Sequence, residues 1–100
     1  MHTVNSILVK ETKFPREWKV IEELSELIVA IAQSITKESL DHREPILEEY
    51  VDSLIVLDQL RIKYKFSENE ISKMKNLKLD RVMKTITEGL DKNYGKFKGV

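Results

Sequence analysis

The chain has no cysteine, which removes a disulfide framework, a thiolate zinc site and thiol catalysis together. Histidine is nearly as scarce. His2 and His42 stand far apart in the chain, and two imidazoles so placed suggest neither a histidine metal site nor a histidine-based triad. There is no sustained apolar stretch: the first residues lack the core of a signal peptide, and no later segment approaches the roughly 18 apolar residues of a membrane span. A soluble, cytoplasmic protein without a membrane partner is the expectation. Charge of one sign is missing as well. With 17 basic and 17 acidic side chains and a formal charge of +0, no global field draws nucleic acid or anionic lipid to the chain. Any charge-driven function must be local.

Only 3 glycines and 2 prolines punctuate the 100 residues, and there is no low-complexity tract or solenoid repeat. Long helices with few turns fit such a text, and no alternating strand pattern appears. Residues 1 to 12 suit a short helix with Val4, Ile7 and Leu8 on one side. Pro15 then fits a helix start, where its missing N–H is not needed. From there Ile21, Leu24, Ile28, Ile31 and Ile35 recur at three- and four-residue spacing, predicting an amphipathic helix over 15–37. A polar connection follows, with a capping box in Asp41 and Glu44. The second long helix is expected over 43–65; its apolar residues point nearly all round the wheel, so it must be covered on most sides. Ser67 and Glu70 repeat the capping signature, and Ile71, Met74, Val82 and Ile86 carry a third long helix toward residue 90.

The fold class is therefore all-α, an antiparallel bundle of three to four helices. One domain is expected over 1–90, followed by a flexible tail over 91–100 without periodicity. A chain this short sits near the lower edge of self-sufficient core size, and the all-round apolar second helix argues for completion by a homodimer or homotetramer.

Acidic residues are the chemistry-bearing feature. The first long helix carries Glu22, Glu23 and Glu26, the second Glu48, Glu49 and Asp52. Residues three apart project from one helix face, so antiparallel neighbours can bring Glu23, Glu26, Glu49 and Asp52 to one point. Four anions in a partly dry place repel unless cations neutralise them, and hard oxygen donors favour Mg²⁺ or Mn²⁺. Acidic pairs at the same spacing also occur at Glu38/Asp41, Asp41/Glu44 and Glu88/Asp91, and most helical carboxylates simply face water. What sets the two long-helix pairs apart is their surroundings: Glu49 and Asp52 share a face with Val56 and Leu60, while Glu23 and Glu26 lie in line with Ala30.

The pattern of Glu22-Glu23, Glu26, Glu49 and Asp52 resembles the EExxE…ExxD motif of MazG-like nucleotide pyrophosphohydrolases. The flanking text, IEELSELIVAIAQ and LEEYVDSLIVLDQL, is similar to that family's two core helices, and the resemblance spans about residues 14–90. It implies a hydrolase that takes a nucleoside triphosphate, often a modified or deoxy one, to the monophosphate and pyrophosphate. Glu23, Glu26, Glu49 and Asp52 would hold Mg²⁺, while Glu26 or Glu22 would orient the attacking water or take its proton. Lys78 and Arg81 resemble the basic residues that face the phosphates in that family. Lys78 also stands where the Met74–Val82 ladder expects an apolar side chain, though a lysine can bury its stem and send its head to water. Lys19 is a further phosphate candidate, as is Lys63, with charge compensation an equal reading for both. Trp18 and Phe14 suit a nucleobase stack or, more simply, a place in the core or an interface. Asp58, set among apolar neighbours, needs a partner, either Arg61 or a basic side chain of another subunit. A second class stays open: a non-enzymatic helical interaction module whose acidic residues serve solubility. Within the enzyme class, nothing ranks the nucleotides.

Overall fold

A computed structural model describes residues 2–37 and 41–89. Four helices are formed among them: α1 (His2–Glu11), α2 (Arg16–Thr36), α3 (Arg43–Tyr64) and α4 (Glu68–Thr87), with no strand. The all-α expectation holds. No helix of the described residues is long and apolar enough to cross a membrane. The chain divides into two units, residues 1–65 and 66–100. The tail expected over 91–100 lies outside the described residues, as do Glu38 and its pairing with Asp41.

The helix starts follow local chemistry. Pro15 stands just ahead of α2 as its N-cap and offers no side-chain cap; its carbonyl accepts from the Trp18 N–H at 3.1 Å. The capping box expected at Asp41 and Glu44 does not close. Asp41 Oδ1 instead accepts from the Arg43 N–H at 3.0 Å, two residues on, and α3 begins after His42. At Ser67 the expectation is met, since its Oγ accepts from the Glu70 N–H at 3.1 Å. Lys65 ends α3 in the left-handed region, φ 58°, and α4, the body of the second unit, buries no residue.

Within the first unit, α2 and α3 run antiparallel. Glu17 meets Lys63 and Tyr64, Glu23 lies by Asp52, and Ala30 shares a cavity wall with Pro45, so partners descend α3 as α2 ascends. The inner stripe of α2 is Arg16, Val20, Glu23, Leu27 and Ala30, buried or half-buried, and that of α3 includes Glu49, Ser53, Val56 and Gln59. This seam is small and polar-laced. Ser53 fits there because its Oγ donates to the Glu49 carbonyl at 2.8 Å, the back-bond a helical serine uses to satisfy its hydroxyl. The isoleucine ladder of α2 lies elsewhere: Ile28 is 65% and Ile35 67% exposed. Its period marks a true helical stripe, but one that α3 does not cover.

Helix α1 docks on α3 through Asn5, only 1% exposed. Asn5 Nδ2 donates to Asp58 Oδ2 at 2.8 Å and to the Ile55 carbonyl at 3.3 Å, and its Oδ1 accepts from Gln59 Nε2 at 3.0 Å. Arg61 Nε donates to Asp58 Oδ1 at 3.0 Å, the partner the sequence suggested for that carboxylate.

The end of the α2–α3 seam is fastened by Glu17, whose carboxylate accepts from Lys63 Nζ and from the Tyr64 hydroxyl at 2.7 Å. The Lys63 hydrogen bond, then the Tyr64 one, lowers the Glu17 pKa from 4.5 to about 2. A depressed carboxylate pKa contributes stability that is fully present above the unfolded value and disappears as pH falls through the folded one. The melting-temperature gap between wild type and Glu17→Gln should therefore hold from neutral pH to about 5 and close toward pH 2. A gap that stays constant over that range would remove this assignment.

Candidate metal centre

Glu23 reaches the α2–α3 seam from the inner stripe of α2, and Glu49 and Asp52 reach it from successive turns of α3. One carboxylate oxygen from each lies within 4.8 Å of the others. Glu23 is the most enclosed of the three, its side chain 12% exposed; Glu49 is half-buried and Asp52 open to solvent. Three carboxylates so close repel one another in the ionised state. One of them is paired with an ammonium: Lys19 Nζ lies 3.2 Å from Glu23 Oε1 and also 3.3 Å from Glu22 Oε2. Those hydrogen bonds, Glu23's first, raise the Lys19 pKa above its usual 10.5, so the lysine stays charged. Even with the Arg16 guanidinium lining the same cavity as Glu23 and Asp52, two cations against three anions leave the group negative.

The free valence is visible at two atoms. Glu23 Oε2 and Glu49 Oε2 are both buried and have no hydrogen-bond partner. Buried carboxylate oxygens ordinarily accept several hydrogen bonds, and three converging carboxylates, two of them with an unpartnered buried oxygen, offer the hard oxygen donors a divalent cation takes. The residues present therefore fit a Mg²⁺ or Mn²⁺ ion. Glu26 is not in this group. It is exposed and shares with Glu49 a neighbouring cavity of about 340 Å³. Glu22 is exposed and held by Lys19.

Comparison with protein-family models, with curated proteins and with solved structures gives no match. The geometry of the chain itself is what bears on function.

The other candidates fall in different places. Lys63 is committed to Glu17. Trp18 and Phe14 are exposed. Lys78, half-buried, lines an apolar recess of about 710 Å³ on the second unit with Phe66, Ile71 and Met74, and Arg81 is exposed on the same helix. Two residues that sequence reasoning passed over stand beside the carboxylates. Arg16 and Gln59 are buried polar side chains and line a second cavity, about 280 Å³, together with Glu23 and Asp52. The signal was present for Arg16, which keeps the same three- and four-residue rhythm as Val20, Glu23 and Leu27. It was hidden because arginine at a helix start ordinarily reads as solvated.

Proposed function

We propose that the chain is a MazG-like, Mg²⁺-dependent nucleoside triphosphate pyrophosphohydrolase, acting on the cytoplasmic nucleotide pool and releasing nucleoside monophosphate and pyrophosphate. The observation that carries the reading is the meeting of Glu23, Glu49 and Asp52 with two buried, unpartnered oxygens, at the positions where the EExxE…ExxD resemblance expects metal ligands. Bound there, the cation would supply Lewis acidity toward phosphate oxygens and a lowered pKa for water.

The chain's own residues divide the remaining work. Glu23, Glu49 and Asp52 hold the charge of the site, and Lys19 fixes Glu23 so that its Oε2 stays turned inward. Water adds to phosphorus, the α–β phosphoanhydride bond breaks, and pyrophosphate leaves with the bridging oxygen. The proton of that water passes to a carboxylate. Glu26 is the better acceptor of the two sequence candidates, because it opens on a cavity beside Glu49 whereas Glu22 is engaged by Lys19. The roles of Lys78 and Arg81 toward phosphates rest on the resemblance alone. The test is a pyrophosphatase-coupled phosphate assay over natural and modified nucleoside triphosphates with Mg²⁺ and Mn²⁺. Pyrophosphate release that disappears on chelation is expected; none with any nucleotide would remove the proposal.

The exposed ladder on α2 and the exposed Leu47, Val51, Leu54 and Leu57 of α3 favour self-association, since apolar stripes of this length are covered in stable assemblies. A homodimer or homotetramer at micromolar concentration is the expected result of sedimentation equilibrium. A monomer would leave those stripes for a different partner, the reading of an interaction module.

A further inference from the structure

Arg16 is 8% exposed, its Nε has no hydrogen-bond partner, and it forms no ion pair among the described residues. Its Nε is thus a buried donor that no group among the described residues answers, although Glu23 and Asp52 line the same cavity. A buried donor is unfavourable unless a partner restores the hydrogen bond it lost with water. The partner that fits is an anion in the cavity that Arg16 lines with Gln59, Glu23 and Asp52.

Gln59 gives that cavity a second defined group. Asn5 Nδ2 faces two acceptors, the Asp58 carboxylate and the Ile55 carbonyl, so Asn5 must present its Oδ1 to Gln59, and Gln59 must answer with Nε2. The amide orientation is thereby fixed, and Gln59 Oε1 is left buried and unpartnered. The cavity thus carries one unmet donor, one unmet acceptor, the Lys19 ammonium and two carboxylates of the candidate metal group, Glu23 and Asp52. Its volume of about 280 Å³ lies below the range of whole small-molecule sites, roughly 300–1,000 Å³. It suits a phosphoryl or diphosphate group and not the nucleoside attached to it.

We propose that this cavity is an oxyanion site in which Arg16 binds the phosphoryl groups of the substrate and of the pyrophosphate product, beside the carboxylate group. Identifying the anion rests on the hydrolase reading; the anion site itself does not. Arginine suits the role because its planar fork matches phosphate oxygens and its charge is permanent. Val56, buried on α3, lines the same cavity and helps keep water from the pair. Gln59 Oε1 takes a proton donor, a hydroxyl of a protonated phosphate or a water on it.

Inorganic pyrophosphate is the probe, titrated calorimetrically into wild type, Arg16→Gln, Arg16→Lys and the exposed control Lys13→Gln, with EDTA and again with Mg²⁺. Arg16→Gln should weaken pyrophosphate binding at least about tenfold, as expected for losing a charge-assisted contact, and Arg16→Lys should fall between. Lys13→Gln should match wild type. The thermal shift given by Mg²⁺ alone should be the same in Arg16→Gln as in wild type, which separates anion binding from metal binding and shows that the variant is folded. Equal pyrophosphate affinity in wild type and Arg16→Gln, or no binding by wild type in either condition, overturns the proposal. Arg16-dependent pyrophosphate binding without hydrolysis of any triphosphate would leave the anion site standing and remove the hydrolase reading. Hydrolysis with an unchanged KM in Arg16→Gln would do the reverse.

Discussion

Replacing Glu49 with glutamine is expected to lower nucleoside triphosphate turnover by roughly three orders of magnitude, the several kcal/mol a metal ion contributes at a developing phosphate charge. The same change should raise the melting temperature of the metal-free protein. Glu49 Oε2 is buried, unpartnered and close to two other carboxylates; an amide removes a repelling charge and brings an N–H for Glu23 to accept. Relief of about 1 kcal/mol corresponds to about 4–8 °C in a domain of this size. Addition of Mg²⁺ should then reverse the order. Wild type gains stability in proportion to ligation, about 2.7 kcal/mol at a hundredfold excess over Kd, and Glu49→Gln gains little. Asp52→Asn should act in the same direction with a smaller metal-free effect, because Asp52 is already exposed. Thermal melts with and without Mg²⁺, beside an activity assay on the same preparations, read all three effects. Wild-type activity in both variants would dismiss the three carboxylates as a catalytic centre.

The helices were legible because composition and period agree over long stretches: α2, α3 and α4 lie within a few residues of their expected bounds. Which face meets which was not. The isoleucines of α2 make the loudest apolar period, and reading that stripe as the inner one is natural; yet the seam with α3 runs through Arg16, Val20, Glu23, Leu27 and Ala30. A period identifies a stripe, and a helix with two stripes does not say which one its own chain will cover. The acidic pairs carried better information. Glu23, Glu49 and Asp52 converge, since helices that pair carboxylates across a seam must present them from facing turns. Glu26, three residues from Glu23, was expected with them. Residues three apart on a helix differ by about 60° around its axis, and that rotation carries Glu26 to the rim beside Glu49. Asn5 and Gln59 were beyond reach for a different reason. Their burial depends on α1 docking against α3, a contact between residues some fifty positions apart that no local pattern announces.

Asn5→Ala is expected to lower unfolding stability by about 2–4 kcal/mol, one of the larger effects available to a single truncation in this chain. Three hydrogen bonds vanish with the amide, one of them to a carboxylate. The groups left behind weigh more than the bonds: the Gln59 amide is buried with no other partner for its Nε2 among the described residues, and Asp58 loses the donor that Asn5 supplied. Helix α1 has 10 residues, too few to persist alone in water, so its order depends on this contact and amide exchange along α1 should quicken before the rest of the first unit responds. Asn5→Asp should be worse near neutral pH, because it sets a carboxylate against the Asp58 carboxylate and the Ile55 carbonyl, and it should recover in part as pH falls and one of the two acids is protonated. A double-mutant cycle with Gln59→Leu separates the pair from its surroundings. If the amide–amide contact matters as described, Asn5→Ala should cost much less in the Gln59→Leu background, where no buried Nε2 is left unmet. Urea midpoints give these differences directly, and equal stability of Asn5→Ala and wild type would show that α1 is held by other means. Leu8 of α1 also lines the Arg16 cavity. Loosening α1 should therefore weaken pyrophosphate binding while sparing the Mg²⁺-dependent thermal shift, whose candidate ligands, Glu23, Glu49 and Asp52, lie on α2 and α3.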